Sequence, residues 1–370
     1  RFAVCTLALV ALLLSPPPLA VAAPERVSVA VLPFEQQTPR EEDKYLSAGF
    51  AETLTNALAR VGNLQVIERG HIRRVLDELK LQSSGLVDPA KAAQVGKQVG
   101  AKQVVVGSFM RAGNAMRVIC RFVDVETAAI DPQHTATITR PLTKEEEIFD
   151  LLDQLAGEVV KGFGVETTAE VKQQLGQVVH QTKDPRAFEY YTQAREKMLL
   201  GTRQGMTEAI PLFEKAVAED KEYALAWAGL SLALNGLGLA KYENGEDGQP
   251  EFKRSLAAAK KAVEIKPDLS DAHIALAMAY GPRVEGTGSD EERKRKREEA
   301  ARKAVELDPK NALAHYNLWA ALDGPLEGEG FSHIEKAIEL DPKLLVARAN
   351  LGMRYNAAQR FAEAIPHFKA

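Results

Sequence analysis

Cysteine is nearly absent from this chain, whose 370 residues hold only Cys5 and Cys120. This scarcity excludes the disulfide framework that stabilises small secreted domains, so the folded parts must depend on hydrophobic cores. Cys120 lies on the apolar side of an alternating segment, residues 116–122, which predicts a buried and unreactive thiol.

An excess of charge of one sign is also missing. The chain has 47 basic and 51 acidic residues, a formal net charge of -4, and only 6% aromatic residues. Because there is no overall basic surplus, the composition gives no indication of a nucleic-acid partner. The hydrophobic content of 45% is nevertheless enough, at this length, for two or three domains with cores of their own.

Long hydrophobic runs occur only at the start of the chain. Residues 2–14 are nearly all apolar, which is shorter than the roughly 20 residues needed to span a bilayer. Arg1 before the run and small residues ending at Ala22 after it predict a signal peptide over residues 1–22. A membrane anchor or a buried core helix is the alternative. Since residue 1 is not Met and the last repeat stops within a helix, both ends are expected to be incomplete.

Residues 25–165 alternate between strand and helix patterns. The apolar periodicity predicts strands near 27–34, 64–68, 104–106, 116–125 and 130–140, with helices near 46–61, 72–79, 89–99 and 143–160. The segment 104–106 is apolar on both faces and is therefore expected at the centre of the sheet. The pattern predicts an α/β domain with a mixed sheet flanked by helices.

A glycine-rich stretch, residues 81–108, reads LQSSGLVDPAKAAQVGKQVGAKQVVVGS and invites comparison with a phosphate-binding loop. Such a loop needs Gly five residues before its Gly-Lys pair and Ser or Thr after it, but Lys91 and Gln98 occupy those positions. Asp88 before Pro89 predicts a helix start, and Gly100 predicts its end. The glycines are thus expected to cap this helix and let it approach a strand, not to hold a nucleotide.

A family resemblance covers roughly residues 27–163. The segments VAVLPF, VIERGHIRRVLDEL, the stretch 81–108 and RFVDVET resemble the curli-secretion lipoprotein family CsgG and its FlgO-like relatives. The resemblance implies an exported α/β domain that works through assembly. The secretion channels of that family carry two inserted amphipathic hairpins, whereas the connections here, 112–115 and 126–129, are too short to span lipid, which argues against a pore. Ala128 stands where the family often has Gly, so a different turn type is expected there.

From residue 185 onward the composition shifts to Ala, Leu, Lys and Glu at helical spacing. Prolines at positions 267, 309 and 342 are separated by 42 and 33 residues, and Leu351, Gly352 and Tyr355 fall at packing positions of a 34-residue motif. The pattern resembles tetratricopeptide (TPR) repeats and implies an all-α TPR solenoid over 185–370, after a helical linker at 166–184. Arg297 and Trp319 stand where the repeat uses a small residue.

The concave wall of such a solenoid is expected to bind a protein or peptide partner. By position in the repeat, this wall is predicted to include Ile274, Met278, Tyr316, Asn317, Val346, Asn350 and Met353. Asn317 and Asn350 are the sharpest candidates because an amide can pair with both groups of a bound backbone, although ordinary repeat consensus explains them equally well. Basic residues are scarce at these positions, so a carboxylate clamp is not predicted.

A basic run, residues 293–297, is flanked by acidic residues. Spacing of four predicts the pairs Glu291 with Arg295, Glu292 with Lys296 and Lys294 with Glu298, hence a self-neutralised helix start. No catalytic, cofactor-binding or metal site is predicted, because no motif for one is present.

These patterns together predict a non-enzymatic scaffold or adaptor of the bacterial cell envelope, exported to the periplasm. Its α/β domain would dock on an assembly or self-associate, with peripheral association to the outer membrane, while the repeats recruit a partner. A component of an outer-membrane secretion channel of the curli type is the first alternative. An enzyme whose α/β domain binds a small molecule is the second, and it has no motif behind it.

Overall fold

The computed structural model describes residues 27–60, 64–179, 181–281, 283–286 and 288–369. The predicted signal peptide, residues 1–22, lies outside the described residues. Within them, an α/β domain is followed by an all-α region of paired helices, as the sequence predicts.

A mixed sheet forms the centre of the α/β domain. Its strands are β1 (Val27–Val31), β2 (Glu35–Gln36), β3 (Leu64–Val66), β4 (Gln103–Ala112), β5 (Ala115–Asp124) and β6 (Ala136–Pro141). The order is β3-β1-β4-β5-β6, with β2 also paired to β4. Strand β1 runs parallel to β3 and β4, and β5 runs antiparallel to both β4 and β6. Residues 104–106 are fully buried in the central strand β4, which confirms their predicted place.

Helices cover both faces of this sheet. Helices α1 (Tyr45–Arg60), α4 (Glu147–Gly162) and α5 (Ala169–Val179) pack on one face, and α2 (Arg69–Glu78) and α3 (Pro89–Val99) pack on the other. Each face has its own apolar core, so the domain is a three-layer α/β structure. Cys120 is buried in the first of these cores, as predicted.

One predicted strand boundary and one predicted turn need comment. The strand expected at 130–140 is shorter, because Ile130 forms only a single bridge to Val123 and a short 3-10 helix at Pro132–His134 precedes β6. Proline cannot donate to a strand ladder, which accounts for the interruption. Ala128 adopts φ +55, the left-handed conformation that glycine would take without a side-chain cost.

The glycine-rich stretch 81–108 folds as the helix and strand that its caps predict. The Asp88 carboxylate accepts a hydrogen bond from the Lys91 amide at 3.0 Å, and Gly100 ends α3 with φ +74. At Gly96 an added Cβ would lie 2.5 Å from Val125 and 2.7 Å from Val104. This glycine therefore lets α3 lie directly against the sheet.

The rest of the chain is a succession of helix pairs in TPR order, each helix packing on its sequence neighbour. The pairs are α6 (Pro185–Met198) with α7 (Arg203–Glu219), α8 (Ala224–Glu243) with α9 (Gln249–Ile265), α10 (Ser270–Ala279) with α11 (Asp290–Leu307), α12 (Ala312–Ala321) with α13 (Gly328–Leu340), and α14 (Leu345–Ala357) with α15 (Phe361–Lys369). Among the described residues, no helix is both long and apolar enough to cross a membrane.

The segment between the two parts is packed, not extended. The predicted linker, residues 166–184, contains α5, whose Leu175 belongs to the core of the α/β domain. The first solenoid helix, α6, inserts Phe188 into the same core, where its ring meets that of Phe149 edge-on at 5.7 Å between centroids. Helix α6 is therefore shared by both parts.

Candidate functional site: the concave face of the solenoid

The α/β domain lies against the beginning of the concave face. A cavity of about 270 Å³ separates them, lined by Asn56 and Arg60 of α1 and by Leu225, Ile274 and Leu313 of the solenoid. Ile274, predicted to contact a partner, is only 1% exposed. This part of the concave face is thus turned toward the chain's own α/β domain.

A buried ionic network fixes the two parts at this contact. The Glu52 carboxylate of α1 accepts hydrogen bonds from Arg69 of α2 at 2.7 Å and from Arg195 of α6 at 3.2 Å. Arg69 also pairs with Glu196 of α6. Burial by itself would raise the pKa of Glu52, but the charges and hydrogen bonds of Arg195 and Arg69 outweigh it and lower that pKa to about 2.

A second contact joins the far end of the solenoid to the α/β domain. The Lys343 ammonium, just before α14, donates to the Gln98 carbonyl at 3.0 Å and lies 3.2 Å from Nε2 of His71. Gln98 is in the last turn of α3, where a cation is favoured by the helix dipole. Burial, together with the charges of Lys343 and Arg74, lowers the pKa of His71 to about 4.

None of the remaining predicted residues, all of which the structure describes, lines the cavity beside the α/β domain. Asn317 is 4% exposed and its Nδ2 donates to the Leu313 carbonyl at 2.8 Å. Nδ2 of Asn350 donates to the Val346 carbonyl at 2.8 Å and to the Tyr316 hydroxyl at 3.1 Å. Both amide nitrogens therefore already have partners within the chain.

Apolar side chains are more accessible than these amides. Val346 and Met353 of α14 are 38% and 53% exposed, and Met278 and Tyr316 are half-buried. The open part of the concave face thus offers apolar contact area at its α14 end.

A basic groove of about 500 Å³ opens between the end of α10 and helices α11, α12 and α14. Two carboxylates line it, Asp290 and Asp323. The cations that line it are Arg283, Arg293, Lys294, Arg297 and Arg354. These cations come from α11, from α14 and from the loop after α10, not from the concave positions at which basic residues were expected to be scarce.

The predicted neutralisation of the basic run is correct for one pair only. Lys296 pairs with Glu292 at 2.6 Å, as predicted. Arg295 pairs with Glu299, not with Glu291, and Lys294 reaches Asp323 at 3.2 Å, not Glu298. Arg295 thus pairs with the acid four residues later, and Lys294 pairs with an acid just after α12.

Arg297 differs from its neighbours. Among the residues that the structure describes, none forms a hydrogen bond or ion pair with its half-buried guanidinium, and burial lowers its pKa against the opposing effects of Tyr316 and Asp323. Arg297 and Tyr316 also line a second cavity of about 170 Å³, here called the apolar pocket. Its apolar lining comprises Leu239, Phe252, Met278, Val284 and Ala320.

Comparison with known families locates the α/β domain. Residues 19–130 match the family model "Curli production assembly/transport component CsgG", which confirms the resemblance over that segment. The repeats that follow lie outside the matched segment.

One curated relative is "Putative adenylate cyclase 3" of Rhizobium meliloti (strain 1021), 27% identical over 261 residues. The match includes 69% of this chain and 40% of the relative, so the chain spans about two fifths of that protein's length.

Several solved structures have a partial likeness to this chain. The thermophilic TPR protein TTC0263 of Thermus thermophilus has 20% identity and a TM-score of 0.36, covering 60% of this chain and 99% of that one. MamA of Desulfovibrio magneticus RS-1 has 18% identity and a TM-score of 0.33 over 50% of this chain and 93% of that one. The LpoB C-terminal domain of Salmonella enterica has 20% identity and a TM-score of 0.26 over 33% and 87%.

Proposed function

We propose that this chain is a non-enzymatic interaction scaffold of the bacterial cell envelope, in which the α/β domain serves docking or assembly and the solenoid recruits a protein partner. The observation that carries the proposal is the division of the concave face. Its first part holds the chain's own α/β domain, and its second part presents exposed apolar side chains beside the basic groove. Export to the periplasm is supported by the apolar leader sequence and by the CsgG match.

The open part of the concave face has the composition of a protein-binding surface. Interfaces bury an apolar centre surrounded by polar groups, and Val346 and Met353 would form such a centre next to the groove cations. A partner segment that lies along α12 and α14 would cover both side chains without displacing the α/β domain.

The test is crosslinking of the tagged chain in its own cells, followed by identification of proteins that co-purify from the envelope fraction. The variant carries Val346→Glu and Met353→Glu, which place charges on exposed positions and leave the core intact. Leu200→Glu, at an exposed apolar position between α6 and α7, is the matched control. We expect an envelope component to be recovered with the wild type and the control and to be lost, about tenfold or more, with the double variant.

Recovery of the chain alone, as a large membrane-embedded ring, would contradict the scaffold and favour the curli-type secretion channel.

The name of the curated relative suggests a second experiment, in which the purified chain is incubated with ATP and a divalent metal and cyclic AMP is measured. Formation of cyclic AMP would contradict a non-enzymatic role.

A further inference from the structure

We propose that the basic groove and the apolar pocket form one site for an acidic peptide segment, in which a carboxylate pairs with Arg297 and a neighbouring apolar side chain enters the apolar pocket. This inference rests on the proposed function, because it specifies the chemistry of the partner segment. It commits the site to protein carboxylates and not to nucleic acid or lipid.

Arg297 is the central residue of this site. A guanidinium taken partly out of water is normally compensated by an acceptor, and the described residues supply none. Arg297 also stands at a position where the repeat pattern has a small residue. Its longer side chain therefore projects into the space between helices. An incoming carboxylate would supply the missing acceptor through two parallel hydrogen bonds.

The other groove cations are held in place by contacts of their own. Arg293 pairs with Asp290 at 2.7 Å, and the Arg354 guanidinium donates to the Asp323 carbonyl at 2.6 Å. Arg283 stacks on the Tyr242 ring at 5.0 Å, while its backbone carbonyl accepts from Gln249 at 2.7 Å. These contacts preorganise the rim, so binding does not have to order it.

Charge complementarity selects an acidic segment. Five cations and two carboxylates line the groove, which leaves an excess of positive charge around Arg297. Such a field attracts an acidic segment and repels a basic one. A single half-buried guanidinium suits one carboxylate, whereas a nucleic-acid strand would need a row of exposed cations along its phosphates.

The apolar pocket adds the second requirement. Arg297 and Tyr316 line both the groove and the pocket, so the two are adjacent. A volume of about 170 Å³ accommodates a single side chain, and the lining is supplied by groups such as Met278 and Val284. The partner segment must therefore carry an apolar residue next to its carboxylate.

The experiment measures binding of a fluorescein-labelled peptide with a Leu-Glu-Leu-Asp-Leu core to the full 370-residue chain by fluorescence polarisation. Its matched probes are the amide peptide Leu-Gln-Leu-Asn-Leu, the peptide Ala-Glu-Ala-Asp-Ala and a labelled oligothymidine of about ten nucleotides. We expect the acidic apolar peptide to bind at least about tenfold more tightly than each other probe, since a charge-assisted hydrogen bond contributes a factor of this size.

The variant Arg297→Gln removes the charge and keeps a side chain that the helix tolerates. Its matched control is Arg295→Gln on the same helix, where Arg295 is exposed and paired with Glu299. We expect Arg297→Gln to weaken binding of the acidic peptide about tenfold or more and the control to change it by less than about twofold. Unchanged circular dichroism and melting temperature will show that both variants are folded.

Equal binding of the acidic and amide peptides, tighter binding of oligothymidine, unchanged binding by Arg297→Gln, or no binding of the acidic peptide would each overturn this inference. Capture of the envelope partner distinguishes failure of this inference from failure of the proposed function. If the envelope partner is captured as well by Arg297→Gln as by the wild type, but not by the Val346 and Met353 double variant, the scaffold stands and this inference fails.

Discussion

Glu52 is the residue on which the contact between the two parts of the molecule depends. It is 4% exposed and lies between the guanidinium groups of Arg69 and Arg195. A buried carboxylate is tolerated only when its partners compensate for the lost water, and here they come from two helices, α2 and α6. If the Glu52 carboxylate were removed, the buried Arg69 guanidinium would keep its ion pair with Glu196 and lose the one with Glu52.

The change Glu52→Gln is expected to lower the free energy of unfolding by about 3–5 kcal/mol, because breaking a buried ion pair leaves uncompensated charge. Urea denaturation of the two proteins measures the difference. The control is Glu306→Gln, which breaks an exposed pair with Lys303 and is expected to cost less than about 1 kcal/mol. Equal costs for both substitutions would show that the network does not stabilise the fold.

Arg297 and Trp319 show what a departure from a repeat pattern can and cannot reveal. Both stand at small-residue positions in the sequence. Trp319 is 2% exposed and its Nε1 donates to the Pro325 carbonyl at 2.8 Å, so it fills the core of its repeat. Arg297 instead faces a groove. The sequence identifies both departures, but only the surrounding helices decide which one is structural.

Among the elements, α3 and α4 contain glycines whose environments are opposite. Gly96 in α3 meets Val125 and Val104 at distances that no Cβ could adopt, whereas an added Cβ at Gly157 in α4 meets nothing within 4 Å. Alanine substitution at Gly157 therefore measures helix propensity alone, whereas substitution at Gly96 also measures the cost of the steric clash.

Gly96→Ala is expected to destabilise the protein by about 1–3 kcal/mol, because the methyl group forces the helix away from the sheet. Gly157→Ala is expected to stabilise it by about 0.5–1 kcal/mol, the usual gain in helix propensity. Thermal unfolding followed by circular dichroism measures both shifts. If both substitutions stabilised the protein, α3 would not lie against the sheet as described.

The caps of α3 could be predicted from Asp88, Pro89 and Gly100 because capping is a local interaction. The pairing of the basic run could not. Arg295 has an acid four residues away on either side, and Lys294 finds Asp323, which is 29 residues away in sequence. Local spacing limits which acids can pair with a given base, and the tertiary structure determines which of them does.

At the scale of the whole molecule, repeat periodicity identified the concave face but could not show what covers it. Ile274 and Met353 are both predicted to lie on the concave face, yet Ile274 is 1% exposed and Met353 is 53% exposed. Ile274 packs against Ala304 of α11 and Ala314 of α12 and lines the cavity beside the α/β domain, whereas no hydrophobic cluster among the described residues includes Met353. No pattern within a repeat carries that information.

A fragment of residues 27–219 is expected to fold cooperatively, and a fragment of residues 27–184 is expected to be less stable by about 3 kcal/mol or more. The shorter fragment lacks Phe188, which fills the core beside Gly49, and Arg195, which pairs with Glu52. Urea denaturation monitored by circular dichroism compares them. Equal stability would mean that α6 belongs to the solenoid alone.

Acid is expected to loosen the contact at Lys343. The pKa of His71 is lowered to about 4 in the folded protein, below its ordinary value of 6.5. The contribution of neutral His71 to the free energy of unfolding is therefore fully present above pH 6.5. It is lost as the pH falls from 6.5 toward 4, because the imidazolium form would repel Lys343. Hydrogen exchange of residues 341–346, corrected for the intrinsic rate, should rise between about pH 7 and about pH 5.

His71→Gln is the control for this prediction, since glutamine can accept from Lys343 and does not titrate. The variant should show a clearly smaller rise in corrected exchange between the two pH values; what remains is expected from Glu68, whose pKa burial and Asp341 raise to about 7. A rise as large in His71→Gln as in the wild type would assign the whole effect to other groups.

The sharing of α6 also imposes an order of events on a chain that emerges from its N-terminus. Arg195 follows Glu52 by 143 residues, so one of the two arginine contacts of Glu52 is missing while every strand of the sheet is already available. The last step in closing that domain must wait for the first helix pair of the solenoid. A nascent chain that ends before α6 would keep the Glu52 carboxylate in contact with water. Its α/β domain would therefore be incompletely folded and distinguishable from the native domain.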